Sequence, residues 1–183
     1  MPKLVRFAQD EFPAVLKWQA LAFMKIQWPL LFERSPLMSE TYPVEHDPAH
    51  FAIVEGDALL SYAAVMHFRL RHAEEDFENC ALGNVLTFPP YRRKGFARQV
   101  VDAATAYINQ SSADVATLFC IAANEPFYAS SGWTALPGVK TLVGSDGAER
   151  QSDLSRMMLF VSAKGQAAQE RFTTQPLRVA YTW

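Results

Sequence analysis

The chain has only two cysteines in 183 residues, Cys80 and Cys120, with no Cys-x-x-Cys pair and no paired histidine spacing. That excludes a zinc ribbon and a disulfide framework, and the expectation is two reduced, buried thiols. Basic excess is also missing: 17 Lys and Arg against 19 Asp and Glu give a net charge of −2. A dedicated nucleic-acid binder usually carries the opposite balance. No apolar run is long enough to cross a bilayer. The stretch 18–32 is interrupted by Lys25, Gln27 and Pro29, short of the roughly 20 apolar residues a span needs. The opening residues Met-Pro-Lys-Leu-Val-Arg-Phe hold no apolar signal-peptide core. The expectation is therefore a cytoplasmic protein, monomer or homodimer, with neither nucleic acid nor membrane as partner. There is no internal repeat, no Gly-x-Gly-x-x-Gly fingerprint and no Gly-x-x-x-x-Gly-Lys-Ser/Thr loop, so the familiar dinucleotide and Walker signatures are absent.

What is present is the balance of a globular domain, 50% hydrophobic and 20% charged. The length suits one core rather than two. Residues 4–8 read as a strand. Asp10 and Pro13 then open a helix that runs to about Trp28, where Pro29 stops it. Residues 33–50 carry Pro36, Pro43 and Pro48 and read as a long loop of the kind that forms binding lids. Residues 51–57 and 59–71 form a hairpin around Gly56-Asp57. After the charged turn Glu74-Glu75-Asp76, residues 79–88 are a strand ended by Pro89-Pro90.

The period then changes. Phe96, Ala97, Val100, Val101, Ala104 and Ile108 recur at helical spacing. Residues 115–122 read as a buried strand and 125–130 as a short helix. Residues 139–143 and 156–161 are strands around a Gly/Ser/Asp loop, and the tail adds a short helix and an extended end. The expected fold class is α/β (α+β): a mixed, mainly antiparallel central sheet with helices on both faces. Residues 1–162 make the domain, and 163–183 pack on it as a tail.

The segment that carries chemistry is Val85-Leu-Thr-Phe-Pro-Pro-Tyr-Arg-Arg-Lys-Gly-Phe-Ala-Arg. A strand enters a basic turn and then a helix whose first turn holds Gly95 and Ala97. The first N–H groups of a helix lack internal partners and carry partial positive charge. Small residues let an anion approach that backbone, and Arg92, Arg93, Lys94 and Arg98 add full charges. A pyrophosphate suits such a place; the alternative is a helix start carrying solvated cations.

This segment resembles the acyl-coenzyme A loop of the GCN5-related N-acetyltransferase (GNAT) superfamily, Arg/Gln-x-x-Gly-x-Gly/Ala after a strand, with Arg92, Gly95 and Ala97 in its fixed places. Downstream, Asn124-Glu-Pro-Phe-Tyr-Ala-Ser-Ser-Gly-Trp resembles the family's Asn…Phe-Tyr-x-x-x-Gly-Phe/Trp element. Tyr-Ala-Ser-Ser-Gly-Trp, the strand Met157-Met-Leu-Phe-Val and a final Trp also resemble aminoglycoside 2'-N-acetyltransferases, although two positions acidic in those enzymes are Gly83 and Tyr181 here.

The resemblance implies acetyl transfer from acetyl-CoA to a primary amine of a small molecule, with coenzyme A as product. The backbone of Leu86 and Thr87 would pair with the pantetheine arm. The N–H groups of Arg93, Lys94, Gly95, Phe96, Ala97 and Arg98 would hold the pyrophosphate beside Arg92. Asn124 would bond the pantetheine or fix the next helix, and Tyr128 would protonate the leaving thiolate. The strand before the loop offers no carboxylate as base, which leaves His67, the carboxylate of Trp183 or a water chain. Trp28, Phe32, Glu33 and Tyr42 are candidates for the acceptor pocket, with Glu40, Glu45 and Asp47 as nearby acids. No metal is implied. The competing functions are a catalytically poor acyl-CoA-binding module, a peptide or protein acetyltransferase, and a nucleotide-binding α/β protein.

Overall fold

The computed structural model describes residues 1–145 and 147–183; Asp146, in the expected Gly/Ser/Asp loop, lies outside them. The chain forms two compact units, residues 1–66 with 83–104, and residues 67–82 with 105–183.

The first unit holds β1 (Lys3–Phe7), α1 (Ala14–Gln27), α2 (Pro29–Arg34), β2 (Ala49–Glu55), the first part of β3 (Ala58–His72), the end of β4 (Glu75–Thr87) and the start of α3 (Phe96–Asn109). Its strand order is β1-β2-β3-β4. β1 and β2 are antiparallel from Lys3↔Val54 to Phe7↔His50, as are β2 and β3 from Ala49↔Val65 to Glu55↔Ala58, with a register shift at Ile53/Val54. Residues 59–66 of β3 are all buried. Successive side chains point to opposite faces, so both faces of β3 are covered there.

Asp10 does not cap α1. It lies in a single 3-10 turn, Gln9–Glu11, and the N-cap of α1 is Pro13, with ψ 134°. Proline disfavours helical geometry in the residue before it, and Phe12 is extended at ψ 113°, so the helix starts after the proline. Pro29 ends α1 and then serves as the first residue of α2, a position that needs no N–H.

The second unit holds the rest of β3, β4 and α3, then β5 (Val115–Cys120), α4 (Glu125–Ala129), β6 (Thr134–Ala135), β7 (Thr141–Val143), β8 (Arg150–Gln151), β9 (Ser155–Phe160), α5 (Ala163–Thr174) and β10 (Leu177–Val179). β4 and β5 are parallel from Asn79↔Val115 to Ala81↔Thr117. β5 is antiparallel to β9, and β9 to β6. A small sheet of order β10-β7-β8 joins the tail to the 141–151 segment. β6 and β8 have two residues each, too short for alternation to mark them. The expected charged turn is tighter than its composition suggests. Ala73 and Glu74 both take positive φ, 49° and 64°, the geometry of a two-residue hairpin, so Glu75 and Asp76 already belong to β4.

Asp114 fastens the tail helix. Its carbonyl accepts from Val161 N–H at 2.9 Å and Ser162 N–H at 3.2 Å, and its carboxylate accepts from Ser162 Oγ at 2.7 Å. Ser162 in turn caps α5 by accepting from Gly165 N–H at 3.1 Å. The approach is so close that a Cβ on Gly165 would lie 1.9 Å from the Asp114 carbonyl oxygen.

Two predictions follow from this packing. Gly165→Ala should destabilise the protein by about 1–3 kcal/mol or more, because backbone must move; an unchanged thermal midpoint would contradict the packing at Asp114. Burial holds the His50 imidazole down to about 4 from 6.5, with Lys17 adding to the effect and Glu40 opposing it, and His72 is lowered as well. The unfolded chain binds those protons more readily. Their stabilisation is therefore complete above 6.5 and is lost as pH falls through the lowered values. Thermal midpoints should drop as pH falls from about 7 to about 4.5, with a shallower slope in His50→Gln.

Candidate active site

In the first unit, β4 delivers the chain to the start of α3 through a braced turn. Phe88 N–H donates to Leu60 C=O at 2.9 Å. Backbone direction alternates along a strand, so Leu86 faces β3 and Thr87 faces away from it. Consistent with that, Ser61 Oγ donates to Leu86 C=O at 2.9 Å. A 3-10 turn, Pro89–Tyr91, follows. Phe23 stacks on Phe88 at 4.8 Å and 9°, and Tyr91 lies between Phe88 and Phe96, 6.2 and 6.5 Å away. These rings hold the turn from beneath.

Arg93 and Gly95 then take left-handed φ values of 62° and 78°. The first α3 bond of the turn is Gln99 N–H to Gly95 C=O at 3.1 Å, so the preceding N–H groups belong to the open end of a helix of 14 residues. A Cβ built on Gly95 would meet nothing within 4 Å; the space before it is open. This arrangement fits a pyrophosphate: backbone donors, a glycine whose Cβ position is unoccupied to 4 Å, and the positive end of a helix dipole.

The four cations are not equivalent. Arg98 Nε donates to both carboxylate oxygens of Asp102, at 3.0 and 2.9 Å, which offsets its charge. Arg92 Nε donates to Thr87 C=O at 3.1 Å and its Nη2 to Gln27 Oε1 at 3.3 Å. Both acceptors are neutral, so Arg92 keeps its charge while it ties the turn to β4 and to the end of α1. Lys94 sits 5.0 Å from the Tyr91 ring centroid, and Arg93 and Lys94 are exposed. Trp28 follows Gln27 at the α1–α2 junction and is partly exposed. Glu33 is exposed on α2, whereas Phe32 and Tyr42 are buried. Glu40 is paired with Lys17.

In the second unit, Asn124 precedes α4 and its side chain makes no capping bond to it. Tyr128 is buried, and its ring packs edge-on against Phe127 at 4.9 Å. No hydrogen-bond partner for its hydroxyl is found among the described residues. Burial pushes the Tyr128 hydroxyl well above its ordinary pKa, with the nearby Cys120 adding to the shift. The Cys120 thiol is itself raised to about 11 by burial and by Glu125, which makes it an inert core thiol rather than a nucleophile. Trp133 Nε1 donates to Thr105 Oγ1 at 2.9 Å and locks the segment after α4 onto α3.

The two candidate base positions fall on opposite sides of this sheet. His67 Nε2 lies 3.1 Å from Tyr107 Oη of α3. The neighbouring Phe68 packs edge-on against Trp183 at 5.1 Å. Adjacent strand residues face opposite ways, so His67 and Trp183 do not meet. The Trp183 ring also packs on Phe119 at 4.8 Å, and its indole Nε1 donates to Thr117 C=O at 3.3 Å. Sequence reasoning did not reach Ser61, Gln27, Phe23 or Tyr107. Among the described residues no group of three or more metal-ligating side chains comes together, and no helix is long and apolar enough to cross a membrane.

Comparison with known proteins shows the family and the fold. A family model described as an acetyltransferase (GNAT) domain matches residues 4–136. No curated protein matches the chain in sequence. Among solved structures, the GNAT family N-acetyltransferase YhbS from Escherichia coli in complex with CoA superposes with a TM-score of 0.60 at 10% identity, covering 97% of this chain and 90% of that one. Escherichia coli ElaA gives 0.59 at 16% identity, covering 86% and 99%. An acyl-CoA N-acyltransferase from Pseudomonas aeruginosa gives 0.57 at 14% identity, covering 86% and 99%. At these identities the structural likeness is one of fold.

The cradle makes a direct prediction. Gly95→Val places a branched side chain at a left-handed φ and in the open space, and should abolish the thermal stabilisation given by coenzyme A. Retained stabilisation would show that the anion sits elsewhere.

Proposed function

Because the chain belongs to the GNAT acetyltransferase family, we propose that this acetyl-CoA-dependent acyltransferase acylates the primary amine of a small molecule, by way of the cradle at the start of α3 and the hydroxyl of Tyr128. The observation that carries this reading is the left-handed Arg93 and Gly95 pair at the entry to α3, with nothing within 4 Å of where a Gly95 Cβ would lie. Acetyl-CoA supplies an activated acyl group when bound. The chain's own residues hold and orient it. Backbone N–H groups from Arg93 to Arg98 take the pyrophosphate, and the outward edge of β4 at Thr87 takes the pantetheine arm, with Asn124 as a further polar contact.

Tyr128 Oη is the proposed proton donor to the leaving sulfur. Burial keeps the proton on that oxygen at neutral pH, the protonation state a donor requires. His67 is engaged by Tyr107, so loss of the amine's proton is assigned to water rather than to that imidazole. Trp28 and Glu33 are the proposed first contacts of a cationic acceptor. Two free, buried cysteines suit a reducing compartment such as the cytoplasm, and the proposed assembly is a monomer or homodimer.

An acceptor panel with thiol release from acetyl-CoA as readout tests this. Tyr128→Phe should lower kcat by about 10²-fold or more while coenzyme A still raises the thermal midpoint. Equal rates would remove Tyr128 from the chemistry. Stabilisation by coenzyme A with no release on any amine would leave an acyl-CoA-binding module, and stabilisation by ATP or NAD instead would overturn the assignment of the cradle.

A further inference from the structure

A single directional chain of hydrogen bonds runs through the first unit, and the cradle itself does not contain it. It starts at Glu40, whose carboxylate meets Lys17 Nζ at 2.5 Å and also Gln9 Nε2 at 3.1 Å. A carboxylate only accepts, so Gln9 must turn its NH2 toward Glu40 and its oxygen toward His50. That oxygen lies 2.8 Å from His50 Nε2, which must therefore carry the proton. His50 Nδ1 is then an acceptor and takes the hydroxyl proton of Tyr62 at 2.7 Å. The Tyr62 oxygen is left to accept from Thr41 Oγ1 at 2.9 Å. Each bond orients the next, and one carboxylate charge sets the sense of all of them.

The core holds this chain tightly. His50 and Tyr62 are 1% and 0% exposed, and Phe12 stacks on the His50 ring at 4.2 Å and 12°. The chain ends on Thr41, in the long segment between α2 and β2. The carbonyl of that same Thr41 accepts from Asn84 Nδ2 at 3.0 Å. Asn84 lies inside β4 yet has a left-handed φ of 52°. Asparagine enters that region more readily than most residues with a side chain, the surroundings fix it there, and such a residue bends its strand. The bend comes two positions before Leu86.

We propose that Asn84, Thr41 and Tyr62 are positioning residues: the chain from Glu40 holds the kink of β4 at Asn84 and thereby aims the backbone of Leu86 and Thr87. The inference rests on the coenzyme reading of that strand edge given above. It assigns the 35–48 segment a task at the coenzyme side, through the strand, whether or not it also covers an acceptor.

The test is the coenzyme A dissociation constant of folded protein, measured by calorimetry well below the thermal midpoint. Tyr62→Phe removes one oxygen and keeps the ring. Asn84→Gly keeps the left-handed backbone and removes the tether. Glu40→Gln releases the orientation at the far end. Each should weaken coenzyme A binding about 2- to 10-fold, the weight of one hydrogen bond, and Asn84→Ala, which cannot relax its φ, should be weaker than Asn84→Gly. A purely structural role would lower the thermal midpoint and leave the dissociation constant alone. Unchanged constants in Asn84→Gly and Glu40→Gln, with normal wild-type binding, would overturn the proposal and leave the function standing. A wild-type chain that binds no coenzyme A would overturn the function, and the proposal with it.

Discussion

The N–H groups at the start of a helix have no partners within that helix, and α3 presents them after the braced turn that follows β4. Most of what surrounds the site serves that condition. Gly95 turns the chain into the helix without placing a Cβ before the open donors. The rings of Phe23, Phe88, Tyr91 and Phe96 keep the turn from folding back. Arg92 bonds neutral acceptors, so its charge remains available to an anion. The Arg98 charge, by contrast, is met by Asp102.

The buried polar groups divide into two kinds. In the first unit, Glu40, Gln9, His50, Tyr62 and Thr41 satisfy one another in sequence, which is the condition under which a polar core adds rigidity. In the second unit Arg156 is 3% exposed. Its Nη2 donates to Phe172 C=O at 2.8 Å, while Nε and Nη1 find no partner among the described residues. Burial lowers its pKa to about 10, so it remains charged at neutral pH. The carbonyl it meets lies in the last turn of α5, where the helix dipole is negative. That dipole is the compensation the structure supplies in place of a carboxylate.

The same side-chain chemistry takes different roles in different surroundings. Tyr62 and Tyr128 are both buried and both raised far above the ordinary phenol range. Tyr62 has Thr41 and His50 as partners, so its hydroxyl is a structural link. Among the described residues the Tyr128 hydroxyl has no such partner, and its ring packs on Phe127. His67 and His50 divide likewise: the Nε2 of one meets the Tyr107 hydroxyl of α3, and the other is clasped at both nitrogens by Tyr62 and Gln9. Residue type alone separates neither pair.

Much of the framework was legible in the amino-acid order because it is set locally. The amphipathic repeat from Phe96 to Ile108 marks α3, Pro89-Pro90 ends β4, and the need for an unobstructed backbone marks Gly95. These depend on residues within a turn of one another, and local geometry follows from local sequence. The start of α1 was misplaced only because Asp10 can cap a helix in general, while Pro13 forbids it at Phe12. What tertiary structure alone decided lies across long separations. Arg92 meets Gln27, Thr41 meets Asn84, His67 turns to Tyr107, and Trp183 settles between Phe68 and Phe119. Each pairing depends on strand register and on which face a residue occupies, and a shift of one residue would reverse the face. No short window of sequence carries that information, because the partners are brought together only when the sheet has formed.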